Sequence, residues 1–189
     1  MRLLFALMLG CLSATCGPPD IRVRVLNLAH IPERTVAAAE STAGEIFHGA
    51  RVRVIWVDCD APEACRGRLG PSEFWLQLLS ERPAKLPESV LGFSLITNEP
   101  SNDGGYAAVT WQGIRALVDC LKIDTVPVLS AAIAHELGHL LLGPHAHSHD
   151  GVMKSHLGAR ELALAAHGGL RFTDAEAKAI HRFAATSSP

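Results

Sequence analysis

The chain has 189 residues, a length that suits one domain and is sufficient to bury a hydrophobic core. Its formal net charge is −2 and 19% of its residues are charged, so we expect neither a nucleic-acid partner nor a solvating acidic tail. Ten histidines are many for this length, and their concentration in the second half of the chain favours metal chemistry.

The N-terminal segment 1–16 has the composition of a secretory signal peptide. Arg2 supplies the positive charge, an apolar run follows, and small residues come next as a cleavage zone. The run is too short to span a bilayer as a stable helix, and we expect no other spanning segment. We therefore predict an exported protein, secreted or periplasmic, whose mature domain covers 20–189. Lipid attachment at Cys11 or Cys16 is the alternative to complete release.

The first half of the mature chain predicts a strand, a helix and a second strand. Apolar and charged residues alternate over 21–25, as in a half-buried strand. Pro32 suits the first turn of the helix that follows. The segment 52–57 is β-branched and aromatic, so it predicts the second strand. This order favours parallel pairing. The predicted helix has one apolar stripe, formed by Val36, Ala39, Ala43, Ile46 and Phe47.

Two cysteines flank a short loop directly after the second predicted strand. In an exported protein the pair Cys59 and Cys65 predicts a disulfide, with two free thiols as the alternative. Cys120 has no obvious partner except Cys16.

The rest of the chain adds strands first and helices later. Two apolar segments, 90–96 and 106–111, predict strands, and a third, 74–79, favours a strand with a helix as the alternative. Loops rich in turn-forming residues separate them. Four helices follow: 112–121, 126–142, 158–169 and one opened by the capping box of Thr173 and Glu176. We predict an α+β domain, with a small mixed sheet packed on helices and its chemistry on the long apolar helix 126–142.

That helix carries the motif His-Glu-x-x-His. His135 and His139 stand one helical turn apart, so both imidazoles lie on the same face and can bind one metal ion. Glu136 lies beside the first ligand, where it can accept a proton from a metal-activated water as the general base. Zinc lowers the pKa of such a water to about 7 and polarises a substrate carbonyl. The alternative is a pair of core histidines that make ordinary hydrogen bonds.

At this point the chain resembles the metzincin-like zincins, whose pattern is H-E-x-x-H-x-x-G-x-x-H followed by a methionine turn. The first three motif residues match. Gly143 comes one residue late, and Leu142 stands at the glycine position. His145 has the pattern's distance from the first histidine but follows the glycine by only two residues.

The chain resembles more closely a group of small secreted bacterial proteins of predicted zinc-protease type. Their pattern is H-E-x-G-H-L-L-L-G, a short loop, and H-S-x-x-G-[IV]-M, which here is HELGHLLLG, PHA and HSHDGVM. This resemblance implies that His147 is the third ligand and that Met153 forms the methionine turn as an apolar floor under the metal. It extends more weakly to IRVRV, WVDC, LGFSL, GGYA and FTDAEAKAI.

The length of the helix also favours His147 as the third ligand. The additional residue before Gly143 lengthens the helix by about a third of a turn, so the chain needs a longer loop to return to the metal. His145 remains the main alternative. His149 is a further one, and so is Glu161, although we expect that carboxylate to lie on a solvated helix face.

The resemblance implies a metzincin-like fold and a secreted zinc metallopeptidase, a hydrolase acting on a peptide or protein substrate. Zinc is the expected metal because imidazole ligands and a basic glutamate suit it. The alternative function is a non-catalytic, histidine-rich protein that binds zinc or another transition metal. Such a protein has no need of Glu136, so that residue discriminates between the two hypotheses.

The chain departs from some metzincins in the residues that follow the methionine. Some family members carry a tyrosine there that assists at the metal, whereas this chain has a single tyrosine, Tyr106, far upstream. Tyr106 lies in a candidate edge strand, which in metzincin-like folds lines the cleft and pairs with an extended substrate. The alternative for Tyr106 is ordinary packing within the sheet.

Overall fold

A computed structural model describes residues 17–59, 65–95 and 105–187. The predicted signal segment 1–16 lies outside the described residues. The strands are β1 (Asp20–Asn27), β2 (Arg53–Asp58), β3 (Glu73–Leu79), β4 (Gly92–Leu95) and β5 (Tyr106–Thr110). The helices are α1 (Glu33–Gly49), α2 (Trp111–Leu121), α3 (Thr125–Leu142), α4 (Ala159–Ala166) and α5 (Asp174–Ser187). The predicted α+β class is confirmed.

The five strands form one mixed sheet in the order β2-β1-β3-β5-β4. β1 pairs in parallel with both β2 and β3, and β3 pairs in parallel with β5. The parallel pairing predicted for the first β-α-β unit is therefore confirmed. β4 is antiparallel to β5 and forms one edge of the sheet, an arrangement common in otherwise parallel sheets.

The expectation that Tyr106 lies on an edge strand was wrong. β5 is flanked by β3 and β4, and the edge strand is β4. The Tyr106 hydroxyl donates a hydrogen bond to Gln77 Oε1 on β3 at 3.1 Å, and its ring lies 6.0 Å from that of Phe93 on β4. Tyr106 therefore packs within the sheet. The segments of β4 and β5 both have the pattern of a short apolar strand. Their sequences therefore do not indicate which of the two has a neighbouring strand on each side.

Two helices provide most of the core against the sheet. α1 buries its predicted stripe, from Val36 to Phe47, together with one carboxylate, Glu40. α3 is buried on nearly every face, as expected from its composition. By length and hydropathy α3 could also cross a membrane, but 78% of its apolar window is buried inside the protein, as in a core helix.

Two local predictions are also confirmed. Cys59 and Cys65 form a disulfide. Thr173 and Glu176 make both capping-box hydrogen bonds at the start of α5: the Thr173 backbone N–H donates to Glu176 Oε2 at 2.8 Å, and the Glu176 N–H donates to Thr173 Oγ1 at 3.4 Å.

Candidate metal centre

Three histidines converge at one end of α3. His135 and His139 extend from successive turns of the helix, and His147 reaches them from the loop that follows. The Nε2 atoms of His135 and His139 lie 3.1 Å apart, and those of His139 and His147 lie 3.2 Å apart. The potential ligand atoms of these three histidines all lie within 4.8 Å of one another. Among the described residues, they form a group that could hold a metal ion.

Backbone carbonyls fix the rings of the two helical histidines. His135 Nδ1 lies 2.8 Å from the carbonyl oxygen of Val152, and His139 Nδ1 lies 3.2 Å from that of Gly143. A carbonyl can only accept, so each Nδ1 must carry the proton and donate it. The neutral rings then present an Nε2 lone pair to the centre of the cluster, and this is the form in which imidazole binds metals.

Burial also keeps these imidazoles neutral. It lowers the pKa of His135 to about 4, against a smaller opposing effect of the hydrogen bond to Val152. Burial likewise lowers the pKa of His139. Neutral rings are ready for ligation because no proton has to leave before a metal binds.

The loop after α3 is held by glycines and backbone hydrogen bonds. Gly143 ends the helix with a φ of 103°, and its N–H donates to the His139 carbonyl at 2.8 Å. The Val152 N–H donates to the carbonyl of Arg171 at 3.0 Å. Gly151 has a φ of 79°, and a Cβ there would lie 2.5 Å from the same carbonyl. This anchoring returns the chain to α3 and places His147 at the cluster.

The other proposed ligands lie elsewhere. His145 and His149 are exposed and do not belong to the converging group. Glu161 is only 2% exposed, so the expectation of a solvated helix face was wrong. Its Oε1 accepts a hydrogen bond from Lys154 Nζ at 2.8 Å, and its Oε2 accepts one from the Gly158 N–H at 3.0 Å. A carboxylate satisfied by these two donors ties the loop to α4 and takes no part in the cluster.

Glu136 is buried beside the histidines, with 7% of its surface exposed. Burial raises its pKa to about 8, and a hydrogen bond with Ser94 on β4 opposes that rise. β4 passes so close that a Cβ at Gly92 would lie 2.7 Å from Glu136 Cγ and 2.6 Å from the Ala108 carbonyl. The absence of a side chain at Gly92 therefore leaves room for Glu136 at the edge of the sheet.

A cleft of about 730 Å³ opens over the three histidines and Glu136. The edge strand β4 forms one wall, α2 forms another, and the loop 154–157 forms a third. Neither β4 nor α2 was predicted to be part of the site. The sequence pattern of either segment does not indicate a contact with α3. The pairing of β4 with β5 brings Ser94 close to Glu136.

Met153 is completely buried beneath α3. A Cβ at Gly138 would overlap the Met153 sulfur and would lie 3.2 Å from Phe172 Cε1. Gly138 thus permits the close approach of another segment to the helix. The thioether packs against the face of α3 at the turn between His135 and His139.

The fold is similar to that of a known metalloproteinase. The crystal structure of metalloproteinase-II from Bacteroides fragilis superposes on this chain with a TM-score of 0.54 and 10% sequence identity. The match covers 90% of this chain and 55% of that chain, so this protein spans about half the length of the neighbour. No family model matches the sequence, and no curated protein is similar to it. At this identity the likeness is one of fold.

Proposed function

We propose that the protein is an exported zinc metallopeptidase that hydrolyses peptide bonds. The observation that carries this proposal is the convergence of three imidazole Nε2 atoms beside a buried glutamate in an open cleft. The fold of a metalloproteinase supports it. The disulfide between Cys59 and Cys65 supports the assignment to an oxidising compartment outside the cytoplasm.

The donor set fits zinc. His135, His139 and His147 would hold the ion through neutral Nε2 atoms, and three protein ligands leave the open position that a catalytic zinc requires. When bound, zinc supplies Lewis acidity, which lowers the pKa of a coordinated water and polarises a carbonyl. Other divalent transition metals also bind imidazole, so metal availability contributes to the choice of ion.

Glu136 is the proposed general base. Its carboxylate would accept the proton of the water that attacks the scissile carbonyl and would return that proton to the leaving amine. Positive charge nearby favours an ionised carboxylate, so a cation at the histidines opposes the effect of burial on the pKa of Glu136. Ser94 restrains the carboxyl group through its hydrogen bond, and Gly92 leaves room for it.

The edge strand β4 is the proposed platform for the substrate. It lies at the end of the sheet and lines the same cleft as the histidines. The outward backbone N–H and C=O groups of an edge strand can pair with an extended peptide, which would lie across Glu136. Met153 is proposed to form the apolar floor of the metal site, in the manner of a methionine turn.

Metal analysis of two histidine variants tests the proposed ligands. Zinc per chain would be measured by elemental analysis in the wild type, His147→Ala and the matched control His145→Ala, which removes an exposed histidine from the same loop. We expect one zinc per chain in the wild type and in His145→Ala, and loss of zinc in His147→Ala. Zinc that is lost only in His145→Ala would overturn the assignment.

Hydrolysis is the second readout. The zinc-loaded protein would be incubated with a library of unstructured peptides, and the products would be identified by mass spectrometry. We expect cleavage that stops on chelation and returns with zinc. A stoichiometric zinc protein that cleaves no member of the library would instead support the metal-binding alternative.

A further inference from the structure

A second cavity, of about 690 Å³, lies between α1 and the carboxyl ends of β1 and β2. It shares no lining residue with the cleft over the histidines. Glu33 and Glu40 line it from α1, and Asp58 lines it from the end of β2. The cavity is therefore acidic, and the proposed peptidase mechanism does not use it.

Glu40 is the unusual residue of this cavity. It is only 6% exposed, although carboxylates are almost never buried without a partner. Within residues 17–59, 65–95 and 105–187, no hydrogen-bond donor reaches its Oε1 atom. A buried polar atom without a partner destabilises the fold, so its presence points to a ligand.

The hydrogen-bond partner of Glu40 is a second carboxyl group, that of Asp58. Asp58 is the last residue of β2, pairs in register with Val25 of β1, and is exposed. Glu40 thus lies at the base of the cavity, on the otherwise apolar face of α1, and Asp58 lies at its mouth. Two carboxyl groups can share this hydrogen bond only while one of them holds a proton.

The remaining charged groups around the cavity do not neutralise the pair. Glu33 adds a third acidic group, and Arg34 and His30 also line the cavity. Among the described residues, no ion pair joins Glu40 or Asp58 to a basic side chain. Within the described residues, the shared proton rather than an ion pair therefore compensates the charge of the two carboxyl groups.

We infer that Glu40 and Asp58 bind a hard divalent cation, Ca²⁺ or Mg²⁺, whose remaining coordination positions are filled by water. Carboxylate oxygens are the ligands that these ions prefer, and Mg²⁺ is commonly held by one or two carboxylates with several waters. The ion would replace the shared proton and supply the missing partner of Glu40 Oε1. Zinc prefers imidazole nitrogen and has the histidine cluster in the separate cleft.

A cation at this site must compete with the proton that Glu40 and Asp58 share. Burial, and to a smaller extent the charge of Asp58 and its hydrogen bond, raise the pKa of Glu40 to about 8. Because the cation binds the ionised pair, its binding must release a proton below that pH. Affinity should therefore increase as the pH rises towards 8.

The test uses the full zinc-loaded chain and two ions separately. CaCl₂ and MgCl₂ would be titrated by calorimetry at pH 7 in two buffers of different ionisation enthalpy, with the melting temperature measured in parallel. The variants are Glu40→Gln and the matched control Glu45→Gln, which is exposed on the same helix. We expect one ion per chain, release of up to one proton, and a higher melting temperature, all lost in Glu40→Gln and kept in Glu45→Gln.

Binding of either ion with this variant pattern supports the site, and the ion that binds more tightly identifies the occupant. Absence of binding by both ions to the wild type would overturn it, as would binding that Glu40→Gln retains. If Glu40→Gln does not fold, Asp58→Asn gives the same test, because Asp58 is exposed at the mouth of the cavity. The result of this test does not depend on the peptidase proposal. The variant His147→Ala, which should lose zinc, should still bind Ca²⁺ or Mg²⁺ at Glu40 and Asp58.

Discussion

Two of the buried glutamates, Glu136 and Glu40, lie in different surroundings. Glu136 on α3 lies beside three histidines, is hydrogen-bonded to Ser94 and is enclosed by the close backbone of β4. Glu40 on α1 lies beside another carboxyl group and leaves one oxygen without a partner among the described residues. Burial is the main cause of a pKa near 8 in both. The same shift therefore accompanies two kinds of site, and the neighbouring residues distinguish them.

The type of neighbour indicates which ion each site suits. Imidazole nitrogens next to Glu136 suit zinc, which leaves the carboxylate free to move a proton. The oxygens of Glu40 and Asp58 suit a hard cation, and there the carboxylate would itself be a ligand. Under these two proposals, Glu136 would move a proton during hydrolysis and Glu40 would bind an ion.

Glu136→Gln should have the largest effect on activity, because Glu136 and not Glu40 is the proposed general base. The amide keeps the shape of the side chain but cannot accept the proton, so we expect kcat/KM to fall about 10²–10⁴-fold with zinc content unchanged. The measurement is initial-rate kinetics on a peptide identified in the library. Glu45→Gln, an exposed position on α1, is the control and should keep the wild-type rate. Wild-type activity in Glu136→Gln would refute the mechanism.

Gly92→Ala tests the enclosure of Glu136. The added methyl would lie 2.7 Å from Glu136 Cγ and 2.6 Å from a backbone carbonyl, so the carboxylate or β4 must shift. We expect at least about a tenfold loss of kcat/KM with one zinc still bound, since small displacements of a catalytic group are costly. Gly44→Ala is the matched control, because its methyl would meet only Trp56 Nε1 at 3.6 Å. Equal activity losses in both variants would exclude a specific effect on Glu136.

The pH dependence of stability should single out Glu40. Its folded-state pKa of about 8 exceeds its ordinary value of 4.5, so the protonated form stabilises the fold below pH 4.5 and this contribution is lost as the pH rises through 8. In the absence of Ca²⁺ and Mg²⁺, the stability of the wild type relative to Glu40→Gln should fall across that window. Melting temperatures from pH 5 to 9 measure it. A difference that does not change with pH would contradict the assignment to Glu40.

Ser94→Ala should have the smallest effect. Ser94 is a positioning residue, because it restrains the Glu136 carboxyl group without reaching the metal ligands. We expect a several-fold decrease in kcat with little change in KM, because a single hydrogen bond typically contributes about 1 kcal/mol. Ser94→Thr retains a hydroxyl and should recover part of the rate. A change confined to KM would indicate that Ser94 contacts the substrate instead.

The sequence allowed prediction of most elements and of the motif on α3. Hydrophobic periodicity located β1 and α1, a long apolar run located α3, and the capping box located the start of α5, because these signals depend on neighbours in the chain. The order of the strands depends on pairing between distant segments, which explains why Tyr106 was placed at an edge when β4 occupies it. Glu40 was not recognised, because a single carboxylate in an apolar stripe resembles any helical glutamate until Asp58 is beside it.

The anchoring of the loop at Arg171 has a consequence for how the protein acquires its site during synthesis. The Arg171 carbonyl accepts the N–H of Val152, and the carbonyl of Val152 in turn accepts the proton of His135 Nδ1. A nascent chain that has not yet extended past Arg171 lacks the acceptor that returns this loop to α3. The three-histidine centre should therefore assemble only after the segment that contains Arg171 has been synthesised and has folded against the loop.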